Sequence, residues 1–84
     1  MTRKKRSGIA IDKEILELCR TAAGKTKIVY RCNLNFQIAK THLVFLVKHQ
    51  FIEVDTSNRW ALYTTTPKGQ ELLGHLTAAL NHAP

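Results

Sequence analysis

An α+β fold that is mostly α, with three helices, a β-hairpin and a closing helix in one domain, is predicted by three features of this 84-residue sequence. Apolar residues recur at helical spacing in three blocks before residue 50, and again after residue 66. Two β-rich segments, Phe51 to Val54 and Trp60 to Thr64, flank the run "DTSNR", whose Asp, Ser and Asn favour a turn. The chain is too short for a second domain, and a chain of this length buries roughly 60–65% of its unfolded surface.

The elements follow in order. "TRKKRSG" carries four consecutive basic side chains and a Ser-Gly break, so residues 1–10 are expected to form a flexible basic arm ahead of a domain spanning 11–84. The first helix is predicted from Asp12, whose carboxylate suits the free N–H groups of an opening turn; Ile15, Leu16, Cys19, Ala22 and Ala23 form its apolar phase. Gly24 is expected to end it in the left-handed conformation. Thr26 then caps a short second helix with Ile28, Val29 and Cys32 inward, and Asn33-Leu34 makes the turn. Asn35 caps a third helix from Phe36 to about His49. After the hairpin, Thr66-Pro67 is an N-cap followed by a first-position proline, opening a last helix over 67–81 with Leu72, Leu73, Leu76, Ala79 and Leu80 as one stripe.

The formal net charge is +7, which favours an anionic partner such as nucleic acid or a membrane surface. Its placement is uneven. No acidic residue occurs between Glu17 and Glu53, while Arg20, Lys25, Lys27, Arg31, Lys40 and Lys48 fall in that interval. No apolar run approaches the roughly 18–20 residues of a membrane span, and no apolar signal core follows the basic amino terminus, so a cytoplasmic, soluble protein is expected. Cys19 and Cys32 fall on apolar helical phases and read as buried thiols. His42, His49, His75 and His82 match no metal spacing. With no Gly-rich phosphate loop and no nucleophile–base motif, neither catalysis, nor a cofactor, nor a small-molecule substrate is expected.

Two short helices joined by a tight turn and followed at once by a hairpin give the order of a winged helix-turn-helix domain. The residues agree. "KTKIVYRCNLNFQIAKTHLVFLVKHQFI" followed by "YTTTPKGQELL" resembles the small archaeal winged-helix DNA-binding proteins, including the 10a-type chromatin proteins. The matching features are Lys25 to Ile28, Tyr30, Asn33 to Phe36, His42-Leu43, Leu46, Phe51-Ile52, Tyr63, Thr66, Lys68-Gly69 and Leu72-Leu73, spread over about Asp12 to Leu76. Two departures stand out. Gln50 occupies a position where glycine is expected, and 10a-type proteins continue into a long dimerising coiled coil whereas this sequence stops soon after Leu80.

A helical wheel of the third helix puts Phe36, Ala39, Leu43, Leu46 and Val47 on a core face. The opposite face carries Gln37, Lys40, Thr41 and Val44, with Asn35 at its mouth; these are the expected base contacts in a DNA major groove. Gln and Asn pair with adenine, Lys reaches guanine or phosphate, and Thr or Val packs on the thymine methyl. Lys25, Thr26, Lys27, Tyr30, Arg31 and Lys48 are expected to hold phosphates. Ser57, Asn58 and Arg59 at the hairpin tip form the wing, and Arg3, Lys4, Lys5 and Arg6 of the arm act alongside it. Trp60 reads as a hairpin and core residue, and Ile38 and Phe45 as part of a wide buried sector. Leu73, Leu76 and Leu80 are expected to pair with a second copy in a homodimer. The partner is then double-stranded DNA, with the protein acting as a transcription regulator or chromatin-type binder. The competing reading is a protein-interaction module that docks through Ile38, Phe45 and the last helix; RNA binding is disfavoured by the lack of interleaved aromatic platforms.

Overall fold

The computed structural model describes residues 7–57 and 59–81. The order is α1 (Gly8–Leu18), α2 (Lys25–Arg31), α3 (Phe36–Lys48), β1 (Ile52–Asp55), β2 (Leu62–Thr65) and α4 (Pro67–Asn81). This is the predicted winged helix-turn-helix: mostly helical, with one antiparallel hairpin. Its core joins Ile11, Ile15, Leu16 and Cys19 of the α1 segment to Ile28, Leu43, Leu46, Ile52 and Leu73. Burial pushes the Cys19 thiol up to about 12, with neighbouring Cys32 adding to the shift.

The first helix begins a turn earlier than Asp12. Ser7 is the cap, its Oγ accepting from the Ala10 N–H at 3.1 Å. Asp12 instead points across to α3, where its Oδ1 lies 2.6 Å from His42 Nδ1. The helix also stops earlier than Gly24. Its last carbonyls are claimed by β2: Thr65 donates its hydroxyl to the Leu16 carbonyl at 2.8 Å and its N–H to the Cys19 carbonyl at 2.8 Å. Ala23 is then drawn into a two-way backbone bridge with Tyr63, at 3.0 and 2.8 Å, which adds a single-residue third strand. That bridge holds Gly24 extended (φ −82°, ψ 166°), so it sits at the start of α2 and not at a left-handed end of α1, and Thr26 is inside the helix instead of capping it.

Both α2 and α3 end in the same hydrogen-bond pattern. Leu34 N–H reaches back to the Val29 carbonyl and Asn33 N–H to Tyr30; Phe51 N–H reaches Leu46 and Gln50 N–H reaches Val47. Each motif needs one left-handed residue, and these are Asn33 (φ 54°) and Gln50 (φ 65°). Gln50 therefore adopts the glycine-like conformation despite its side chain. As expected, Asn35 caps α3, its Oδ1 accepting from the Ile38 N–H at 2.7 Å.

The strands lie further along the chain than predicted, paired Ile52 with Thr65 and Asp55 with Leu62 at the two ends of the register. Phe51 is excluded from β1 because it is the joint: its N–H closes α3 and its carbonyl accepts from the Thr66 N–H at 3.0 Å. Thr66 completes that joint by donating its hydroxyl to the Gln50 carbonyl at 2.7 Å and accepting from the Gly69 N–H at 3.0 Å, the N-cap predicted for the last helix. Here α4 crosses so close to Phe51 that a Cβ on Gly69 would stand 2.0 Å from its carbonyl oxygen. Lys68 lies over the Phe51 ring, 5.2 Å from its centroid.

Candidate nucleic-acid interface

The outward side of α3 is where the sequence placed it. Ala39, Leu43 and Leu46 are buried, so the helix turns Gln37, Lys40, Thr41, Val44 and Lys48 to solvent. Two expected base contacts are already engaged in the fold. Asn35 spends on its cap the oxygen that a bidentate adenine pair would use, and Thr41 donates its hydroxyl to the Gln37 carbonyl at 3.0 Å. Gln37 and Lys40 keep the long, exposed polar ends that base-edge contact requires.

Three grooves border this helix, and Lys25 is in the wall of each. One, of about 430 Å³, lies between Val44, Val47 and Lys48 of α3 and Val54 and Tyr63 of the hairpin. A second, of about 640 Å³, runs along Gln37, Lys40, Thr41 and Val44. The third, of about 550 Å³, passes Thr26 and Phe36 to Trp60 and Tyr63. No acidic side chain is among the described residues lining them. The anchor of the surface is thus Lys25, which the second helix start presents beside both α3 and the hairpin.

Of the other expected phosphate contacts, Thr26, Lys27, Tyr30 and Arg31 are exposed on α2, and Tyr30 is 77% accessible. Ser57 and Arg59 are exposed in the hairpin loop. The Ser57 hydroxyl and N–H both hydrogen-bond Asp55, the N–H at 2.8 Å, holding its carboxyl below the usual range and fixing a negative charge at the wing base. Asn58 and the arm residues Arg3, Lys4, Lys5 and Arg6 lie outside the described residues.

Four expectations are corrected. Trp60 is 72% exposed, because β2 starts only at Leu62 and the indole sits in the loop. Phe36 is 55% exposed, since the first turn of α3 overhangs the core that Ala39 begins to fill. Ile38 and Phe45 are 40% and 46% exposed: they lie on the flank beyond His42, and Phe45 is covered in part by the His49 ring 4.5 Å away. Leu73 is a core residue at 7% exposure and cannot face a second copy, whereas Leu76 is half-buried against the core and Leu80 is half-buried. Sequence reasoning missed that Lys25 shares a groove with Phe36, Trp60 and Tyr63, residues that lie far apart in the chain.

The architecture and this basic, acid-free helix face define a winged helix-turn-helix protein. Comparison with known families bears this out: residues 5–83 match the winged helix-turn-helix family, and the chain belongs to it. Among solved structures it is similar to Sso10a-2, a DNA-binding protein from the archaeon Sulfolobus solfataricus, with a TM-score of 0.86 and 29% identity over 90% of this chain and 80% of that one. The resemblance to 10a-type proteins holds. Lactococcus lactis ZitR, solved in complex with DNA, shares the fold at a TM-score of 0.71 and 13% identity, over 90% of this chain and 54% of ZitR. A search of curated protein sequences finds no match.

Proposed function

We propose that this protein binds double-stranded DNA by laying α3 in the major groove, as a local transcription regulator or a chromatin-type binder, without enzymatic activity. The observation that carries the reading is the outward face of α3, where Gln37, Lys40 and Lys48 stand beside Lys25 on grooves lined by no acidic residue. A net charge of +7 and membership of the winged helix-turn-helix family support it, as does the likeness to a DNA-binding relative. In this reading Gln37, Lys40 and Val44 meet base edges, while Lys25, Lys27, Tyr30, Arg31 and Lys48 hold the backbone. The wing at Arg59 and the basic arm add phosphate contacts, and the protein resides with the nucleoid. Leu76 and Leu80 are the residues left on α4 for a homodimer that would set two reading helices on a pseudo-palindrome.

The test is anisotropy of labelled duplexes, titrated across a series of salt concentrations. Binding should fall steeply, with a log–log slope of roughly −0.9 per phosphate neutralised. Lys27→Ala should weaken specific and random duplexes alike and make the slope shallower by about 0.9, whereas Gln37→Ala and Lys40→Ala should narrow the gap between specific and random sites. No duplex binding at low salt would reject the reading. The exposed Ile38 and Phe45 would then bring forward the second reading, a module that docks on another protein.

A further inference from the structure

We propose that the groove between Phe36 and Trp60 is a stacking cradle for an unpaired nucleobase of single-stranded DNA, with Lys25 holding the adjoining phosphate. The inference rests on the DNA reading above, and it assigns to the same surface a second form of the ligand. Three observations converge on it.

The first is aromatic exposure without an internal cause. Trp60 and Phe36 are the large apolar side chains that the fold leaves open beside α2, and neither takes part in a ring contact among the described residues. Trp60 keeps 72% and Phe36 55% of its surface open to solvent. The second is shape. At about 550 Å³ the groove falls within the range of small-ligand sites, and its lining by Phe36, Trp60, Ala61 and Tyr63 is mostly apolar. The third is charge and continuity. Lys25 and Phe36 line this groove and also the neighbouring one along Gln37 and Lys40, so a strand leaving the reading helix passes directly into it.

A duplex hides the faces of its bases in the stack, so it offers this groove only sugars and phosphates. An unpaired base offers a π-face, and any base does. Sequence-tolerant strand binding is built from this combination of a basic groove with aromatic platforms. The expected ligand is therefore single-stranded DNA such as a melted or extruded segment, bound with little preference for sequence.

Trp60 is the only tryptophan of the chain, so its emission reports the cradle directly. The experiment titrates the full chain with a short oligothymidine, with an abasic strand of the same length, and with a random duplex. Trp60 emission should be quenched by oligothymidine and not by the abasic strand. In anisotropy, Trp60→Ala should weaken oligothymidine binding by roughly 5- to 150-fold, the range that removal of one stacking platform produces, with duplex affinity changed less than about twofold. Phe36→Ala should act in the same direction. Trp60 is 72% exposed, so Trp60→Ala should melt close to the parent protein. Equal quenching by the abasic strand, equal loss for strand and duplex, or no loss on Trp60→Ala would each overturn the cradle. The two proposals fail separately: duplex binding without oligothymidine quenching rejects only the cradle, and quenching without duplex binding upholds the cradle while rejecting the major-groove reading.

Discussion

The two sides of α3 obey different constraints. On its inner side, Ala39, Leu43 and Leu46 are buried, and behind them Thr65 and Gly69 sit where α1, β2 and α4 close on one another. Each residue there has a reason inside the chain. On its outer side, Phe36 and Val44 are more than half exposed, as is Trp60 in the adjoining hairpin loop, and Lys40 and Lys48, with Lys25 of α2, meet no described acidic residue along the grooves. Internal packing accounts for only part of those side chains. A side whose composition internal packing does not explain is a side shaped by what it touches, and this contrast separates the frame from the site.

Breaking the inner side should therefore be costly. The largest effect is expected from Gly69→Ala, because the new methyl meets the Phe51 carbonyl oxygen at 2.0 Å and the Thr65 methyl at 2.7 Å. Backbone on both sides has to move, at about 3 kcal/mol, and the melting temperature should fall by more than about 10 °C when followed by circular dichroism. A shift under about 2 °C would mean that the joint is loose and the contrast false. Next comes Thr65→Val, which keeps the shape but removes the hydroxyl that satisfies the buried Leu16 carbonyl. A cost of about 1–3 kcal/mol is expected in a denaturant titration. Should Thr65→Val prove neutral, water or a shifted α1 end must be able to take up that carbonyl.

Local chemistry was legible in the sequence, and long-range chemistry was not. Asn35 and Thr66 were found as caps because each cap bonds a backbone N–H three residues on, and the sequence carries that whole interaction. The outward residues of α3 followed from helical period alone. By contrast, local sequence favours Asp12 over Ser7 as the cap, because the partner of Asp12 is His42, thirty positions away. The extent of α1 was overestimated for the same reason: Thr65 caps its carbonyls from the far end of the hairpin. Helical phase points Phe36 to the core, and the want of interleaved basic residues points Trp60 there, yet an aromatic at the margin of an element is placed by tertiary geometry. The basic half of the candidate site could be read in advance, and its aromatic half could not.

The smallest expected effect tests the joint between the two sides. Asn33 and Gln50 hold the same left-handed place at the ends of α2 and α3. Asparagine tolerates that conformation through short-range hydrogen bonding, whereas a longer side chain meets the following carbonyl and costs about 1 kcal/mol. Glycine removes the clash but loses more backbone freedom on folding, which offsets roughly half of the gain. Gln50→Gly should thus stabilise the protein by about 0.5 kcal/mol, raising the melting temperature by about 2–4 °C, and Gln50→Asn should move it in the same direction. The Gln50 carbonyl, which accepts from the Thr66 hydroxyl, is kept in both variants, so the frame stays closed. A fall in melting temperature with Gln50→Gly would mean that the glutamine side chain itself supports the joint, and would move Gln50 from a tolerated residue to a required one.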